Sequence, residues 1–591
     1  MSPKNEFANH ERRKADISPP FFSRQIQKVD SRGGGTIYFS TPPLELRIMN
    51  TEWASSASPF LGIALVLGVL LHAFIFNRGE WDLHTVQILR RFLGLFVVLA
   101  AVLTIVPLPL QTPSSPSSSS WNPFVFALCL TGCVILGLFA SILVYRACFH
   151  RLNRFPGPFA ARLSNLYITR LSVKKLQLYG EIQSLHRAYG DYVRVGDKGP
   201  WYNIEQPAIS VHMTRDKDDH TRRRKTWDKA FSTKALRDYE PRVAKYTNLL
   251  LQRIEEHQGI PFDASKWFNF YSFDVMGDMA FGENFNMLNS GHAHAFMKLI
   301  HKHLIAAGKL SHLIWLFPLI RAMPILNRED AAAQVWLLKQ ISHREKNRPD
   351  VPDVFSWLLS DFERLEKPSR QDRFNLQADM QLIAIAGSDT TAATLSSLFF
   401  LLATNKTECV KLQQELDTCF PGATELDQSK LSKMKFLQAC INEALRLLPP
   451  VPSGLQRMTP PEGLMIGDIF IPGETIVTIP SYAQYRDERF FAFPNSFIPE
   501  RWTTRPELIK DSSIYVPFGS GKYACVGKAL GLMEVRLVTS TILRRFDVDL
   551  AHEKAEAAFL SGLRDCFTIS ASNLSVVFTA RNARQSVLGE V

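Results

Sequence analysis

The chain has 591 residues and a formal net charge of +12. Hydrophobic residues make up 46% and charged residues 21%, a balance that excludes a generally disordered protein. The densest basic run, Arg222-Arg223-Arg224-Lys225, is short and has no zinc-finger spacing beside it, which argues against a nucleic-acid partner. The eight cysteines show no CxxC pair and no framework spacing, which argues against a disulfide scaffold or a structural zinc site.

Residues 1–58 are polar, rich in Gly, Pro and Ser, and include Gly33-Gly34-Gly35, so they read as a flexible tail. Three uncharged apolar runs follow, at residues 59–76, 92–110 and 123–145. Each is near the length that crosses a hydrocarbon core, and three transmembrane helices are expected. Pro107 and Pro109 disturb the end of the second. The first run starts too far from Met1 for a signal peptide, and uncharged spans argue against a transporter. Arg78, Arg90 and Arg91 lie in the loop 77–91, the loop 111–122 has no charge, and Arg146, Arg151, Arg154 and Arg162 follow the third run. The positive-inside rule then puts 77–91 and everything after residue 146 in the cytosol.

Phe155-Pro156-Gly157-Pro158 makes a stiff turn after the anchor. From there helical periodicity dominates, with strand-like pieces at 191–196, 468–480 and 574–580 and no internal repeat. Residues 155–591 therefore read as one large domain, mainly helical with small sheets.

Within that domain, His220 and Arg224 stand four apart in a basic helical segment, by themselves most simply a solvated face. Ala386-Gly387-Ser388-Asp389-Thr390-Thr391 interrupts a long apolar helix. An acid beside an alcohol is costly there unless it is paired or functional, and Gly387 is expected to weaken the helix and open a groove. A polar notch against a neighbouring helix would explain the same residues. Glu443 and Arg446 share a helix face and can pair, and Arg501 in Pro499-Glu500-Arg501-Trp502 can join them.

The run from Phe518 to Gly527 reads FGSGKYACVG, and a helix starts just after Cys525. Gly521 permits a tight loop, and Gly527 leaves room for something flat to approach. The unpaired N–H groups and dipole of the helix start would favour a thiolate at Cys525. A buried cysteine in a Gly-rich turn is the plainer alternative.

Taken together, these segments resemble the cytochromes P450. The cysteine loop resembles that family's haem-binding loop at Phe518, Gly521, Cys525 and Gly527, with Tyr523 where Arg or His usually meets a haem propionate. Residues 386–391 are similar to its oxygen-activation helix. By that match Thr390 would hold the activated oxygen at the iron, and Asp389 would feed protons through water. The Glu443–Arg446 pair and Arg501 resemble its structural signatures, and His220, Arg224 and Arg457 would be further propionate donors. The three-span start is similar to some fungal microsomal members.

The resemblance implies a haem-thiolate monooxygenase with haem b, Cys525 as axial iron ligand, and electrons from NADPH through a membrane-bound reductase. Lys522, Lys528 and Arg536 are candidate reductase contacts. A lipophilic secondary metabolite as substrate and a multi-pass position in the endoplasmic reticulum membrane, catalytic domain cytosolic, are implied as well. A haem-thiolate isomerase or dehydratase, or an inactive membrane haem protein, are the alternatives. The third arises because Asp197-Lys198 lead straight from Gly196 into Gly199-Pro200, where the family usually has a partner strand and a short helix. Two such elements need roughly fifteen residues or more, so a local gap is expected beside residues 191–201. The substrate walls are expected in 201–219, Ser453–Leu455 and Ser570–Asn573.

Overall fold

The computed structural model describes residues 51–106, 122–195, 201–422 and 425–581. The tail before residue 51, the loop 111–121 and the shortened segment 196–199 lie outside the described residues.

Three apolar helices come first, at Thr51–Leu71, Thr85–Ile105 and Pro123–Val144. The first begins inside the stretch expected to be tail, because a helix tolerates the small polar residues of TEWASSAS when an apolar run extends it. The second starts seven residues before its apolar run and ends at Ile105, short of Pro107. Asn122 caps the third by accepting from the Phe124 and Val125 amides. Stretches of 20, 24 and 27 residues here are long and apolar enough to cross a membrane, and 17%, 0% and 17% of their apolar windows are buried in protein. The helix Arg370–Thr404 passes the same test of length and composition, yet 78% of its window is buried, which makes it a core element.

That long helix is the axis of the catalytic part. Ser369 and Asp372 form a capping box at its start, and its 35 residues run about 52 Å. It lies along the helix Ala264–Phe281, where a Cβ on Gly387 would come 2.5 Å from the Met276 sulfur. The helix continues unbroken through Gly387. Gly387 packs against Met276 and also lines a large cavity beside the helix.

Sheets are small and antiparallel. Ser575–Ala580 is central between Phe262–Asp263 and Phe546–Leu550, with Val576 opposite Phe262 and Val548 opposite Phe578. Gln456–Met458 pairs with Ile476–Thr478, Leu464–Ile466 with Ile469–Ile471, and Arg564–Cys566 with Thr568–Ser570. The strand-like pieces at 468–480 and 574–580 thus form strands. Residues 191–195 do not. The Arg194 amide donates to the Pro156 carbonyl at 2.8 Å, and the Arg194 guanidinium reaches Asn153 Oδ1 and the Arg162 carbonyl. Among the described residues, however, no strand pairs with this segment, and its alternating pattern stays irregular.

Candidate active site

Two left-handed glycines, Gly519 and Gly521, each at φ +67°, fold the cysteine loop back on itself. The Cys525 amide then donates to the Phe518 carbonyl at 2.8 Å and closes it. Gly527 is the N-cap of the helix Lys528–Leu543. Burial raises the Cys525 thiol, and the Gly527 amide, the Arg224 charge and the Lys528 amide only oppose that shift. The Gly527 and Lys528 amides at the helix start thus favour the thiolate while desolvation opposes it. A coordinating metal ion deprotonates such a thiol outright.

Cys525 opens onto a cavity of about 2390 Å³. Phe518, Gly527, Thr390, His220, Arg224, Arg457 and Tyr523 meet the same space, although they come from four separate segments. Arg224 Nη1 donates to the Ala524 carbonyl at 2.7 Å, while its Nε donates to Asp228 at 2.8 Å. The His220 ring lies 4.7 Å from the Tyr523 ring. The Arg457 guanidinium and the Lys522 ammonium lie 5.6 and 4.9 Å from that ring's centre. Charge missing at Tyr523 is thus supplied by its neighbours.

By sequence reasoning His212 falls only within the expected wall 201–219 and is not singled out as a member of this cluster. It follows no motif, and nothing short of the fold brings it to Tyr202 and Trp201, 5.7 and 6.2 Å away between rings. Burial pushes its imidazole down to about 4, so it is neutral. His212 Nε2 and His220 Nδ1 are both buried without a hydrogen-bond partner among the described residues. Orphaned buried nitrogens need an explanation. A cavity ending at a thiol, with three cations and two such imidazoles on one rim, fits an iron porphyrin carrying two carboxylates.

On the long helix, Thr390 lines the cavity and its hydroxyl donates to the Ala386 carbonyl at 2.8 Å. Asp389 turns to the other flank, 7% exposed, with Oδ1 3.0 Å from His301 Nε2. Successive helical residues point about 100° apart, so the two side chains do not meet in one space.

Below the cysteine loop, Glu443, Arg446 and Arg501 are completely buried. Glu443 receives both Arg446 Nε and Nη2, at 2.9 and 2.8 Å, along with Arg501 Nε at 2.9 Å and the Trp502 indole at 2.9 Å. Arg446 also donates to the carbonyls of Tyr485, Pro494 and Ser496. No donor in the network is left to the apolar interior alone, the condition under which buried charges persist.

Two smaller expectations change. Arg536 is half-buried and spends its guanidinium on Gln438 Oε1, so it does not present a free charge to a partner. Of the expected substrate walls, Gly454 and Leu455 and most of 201–217 line the large cavity, but Ser570 and Ala571 line a separate small one.

The Cytochrome P450 family model matches residues 138–573. The chain is 54% identical to the cytochrome P450 monooxygenase FCK2 of Fusarium pseudograminearum over 538 residues, 87% of this chain and 97% of the relative. It is 38% identical to the monooxygenase phqL of Penicillium fellutanum, covering 88% and 95%, and 32% identical to the tryprostatin B 6-hydroxylase of Aspergillus fumigatus, covering 88% and 97%. The first alignment is longer than the share of this chain it takes in, so that relative carries residues with no counterpart here.

Proposed function

This chain belongs to the cytochrome P450 family and acts as a monooxygenase, and we propose that Cys525 is the ligand through which it holds haem b. The observation that carries this reading is the opening of the Cys525 loop onto a large cavity whose rim gathers Arg224, Arg457, Lys522, His220 and His212. When bound, the haem supplies the oxygen-activating redox chemistry. Arg224, Arg457, Tyr523 and His220 would hold its propionates, while Phe518, Gly521 and Gly527 shape the loop around the thiolate. Glu443, Arg446 and Arg501 lock the segment beneath it.

Thr390 donates a hydrogen bond at the cavity face of the long helix, and Asp389 carries protons toward it from the other flank. The upper cavity is walled by Phe296, Ile300, Leu304, Leu382 and Ile385, which suits a lipophilic secondary metabolite. Electrons come from NADPH through a membrane-bound reductase. The chain is held in the endoplasmic reticulum membrane by its three apolar helices, with the catalytic domain in the cytosol. A bidentate pair between Arg215 and Glu80, at 2.5 and 3.0 Å, supports that orientation, because it puts the loop after the first helix on the catalytic side. Cys525→Ala should abolish the thiolate-type carbon monoxide spectrum; a variant that keeps it has another ligand. Feeding candidate intermediates to an expressing host, with a mass gain of one oxygen as readout, identifies the substrate.

A further inference from the structure

Asp389 has a second oxygen that the His301 contact does not use. Oδ2 is buried and has no hydrogen-bond partner among the described residues. Beside it lies a small space of about 20 Å³, bordered by Asn269, His301, Ala393, Cys566 and Ser570. A single water needs roughly 10–15 Å³ by the same measure, and polar partners. Both are present. The space sits on the Asp389 flank of the long helix, about 100° around from Thr390, and His301 reaches it from the helix Ala295–Leu310. The His301 ring packs edge-on against Phe273, 5.5 Å between centres, which fixes the direction of Nε2 toward Asp389. Its side chain is 30% exposed while that of Asp389 is 7% exposed, so His301 spans the distance between solvent and the buried carboxylate.

We propose that His301 is the positioning and proton-supplying partner of Asp389, with one water held in the small cavity on Oδ2. The step is a proton transfer alone. The imidazolium gives its Nε2 proton to Asp389 Oδ1 and becomes neutral, and solvent restores the proton to the ring. Imidazole is suited to this because its two ring nitrogens let it take a proton on one side and give one on the other. The titratable groups around the space are His301, Asp389 and Cys566. Burial pushes the Cys566 thiol up to about 12, so it stays neutral and does not compete; Asn269 and Phe273 bring no charge.

The inference rests on the reading of Asp389 as a proton carrier, and the test separates the two. Infrared titration of the haem-loaded protein follows the Asp389 carboxyl band, identified by its loss in Asp389→Asn. Loss of a cationic partner favours the protonated acid, so His301→Gln should move that titration to higher pH, and His301→Lys should not. An unmoved band in His301→Gln overturns the pairing. In parallel, NADPH consumption with reductase is followed from pH 6 to 8, with the carbon monoxide spectrum reporting intact haem binding. A changed profile in both Asp389→Asn and His301→Gln supports the route. A change in Asp389→Asn alone removes His301 from it, and no change in either removes Asp389 as the carrier.

Discussion

Arg223 Nη2 and Asp379 Oδ2 meet at 2.7 Å, both under a tenth exposed, and tie the basic helix Lys217–Ala230 to the long helix. Asp379 also accepts the Val211 amide at 2.7 Å, which anchors the segment carrying His212. The burial of Arg223 differs from the setting of its neighbour Arg224, which reaches the cysteine loop instead. Asp379→Ala strands a buried guanidinium and an amide, and should cost about 3 kcal/mol. Asp219 contacts Arg223 from a more exposed position, and Asp219→Ala should cost less than about 1 kcal/mol. Denaturant unfolding of the two variants measures the difference.

Arg446 serves Glu443 and three carbonyls at once, which a lysine cannot reproduce because it lacks the planar fork. Arg446→Lys leaves part of a buried network unpaired, and haem-loaded protein should not be recovered. A normal carbon monoxide spectrum from that variant refutes the claim that the network holds the loop.

Thr390→Ala removes the one hydroxyl of the acid–alcohol pair that faces the large cavity. Haem loading should be unchanged, while product per NADPH drops by about 100-fold, the lower range for losing general acid–base help, and peroxide rises. Peroxide and product assays on the same sample decide it; an unaltered yield makes Thr390 a packing residue.

Asp565 is a buried carboxylic acid that accepts the Ser453 hydroxyl, and burial raises it to about 6. The folded protein therefore keeps this proton to higher pH than the unfolded chain does. Stability should decline as pH climbs from about 4 to about 6, by at most about 3 kcal/mol from this group. Asp565→Asn should flatten that part of the pH dependence in thermal melts, and a slope of unchanged size would count against the assignment.

Orientation in the membrane is open to a direct check. An acceptor for glycosylation placed in 111–122 should be modified in microsomes, and one placed in 77–84 should not. The reverse pattern would put the Arg215–Glu80 pair and the catalytic domain in the lumen.

The sequence by itself determined the features that depend on neighbours along the chain. The apolar runs, the Gly-rich turn around Cys525, the Glu443–Arg446 spacing and the strands at 468–480 and 574–580 are local patterns, and local backbone preferences realise them wherever the chain is. Tertiary structure decided what distant segments bring to each other. It turned Asp389 away from Thr390 and toward His301, 88 residues earlier. It brought His212 to the rim of the cavity, buried Arg223 against Asp379, and left 191–195 without a partner strand among the described residues. At Cys525 the helix start that favours a thiolate is visible in the sequence, while the burial that opposes it is not. A side chain's desolvation and its long-range partners are set by packing, and one-dimensional order carries no record of which face meets which.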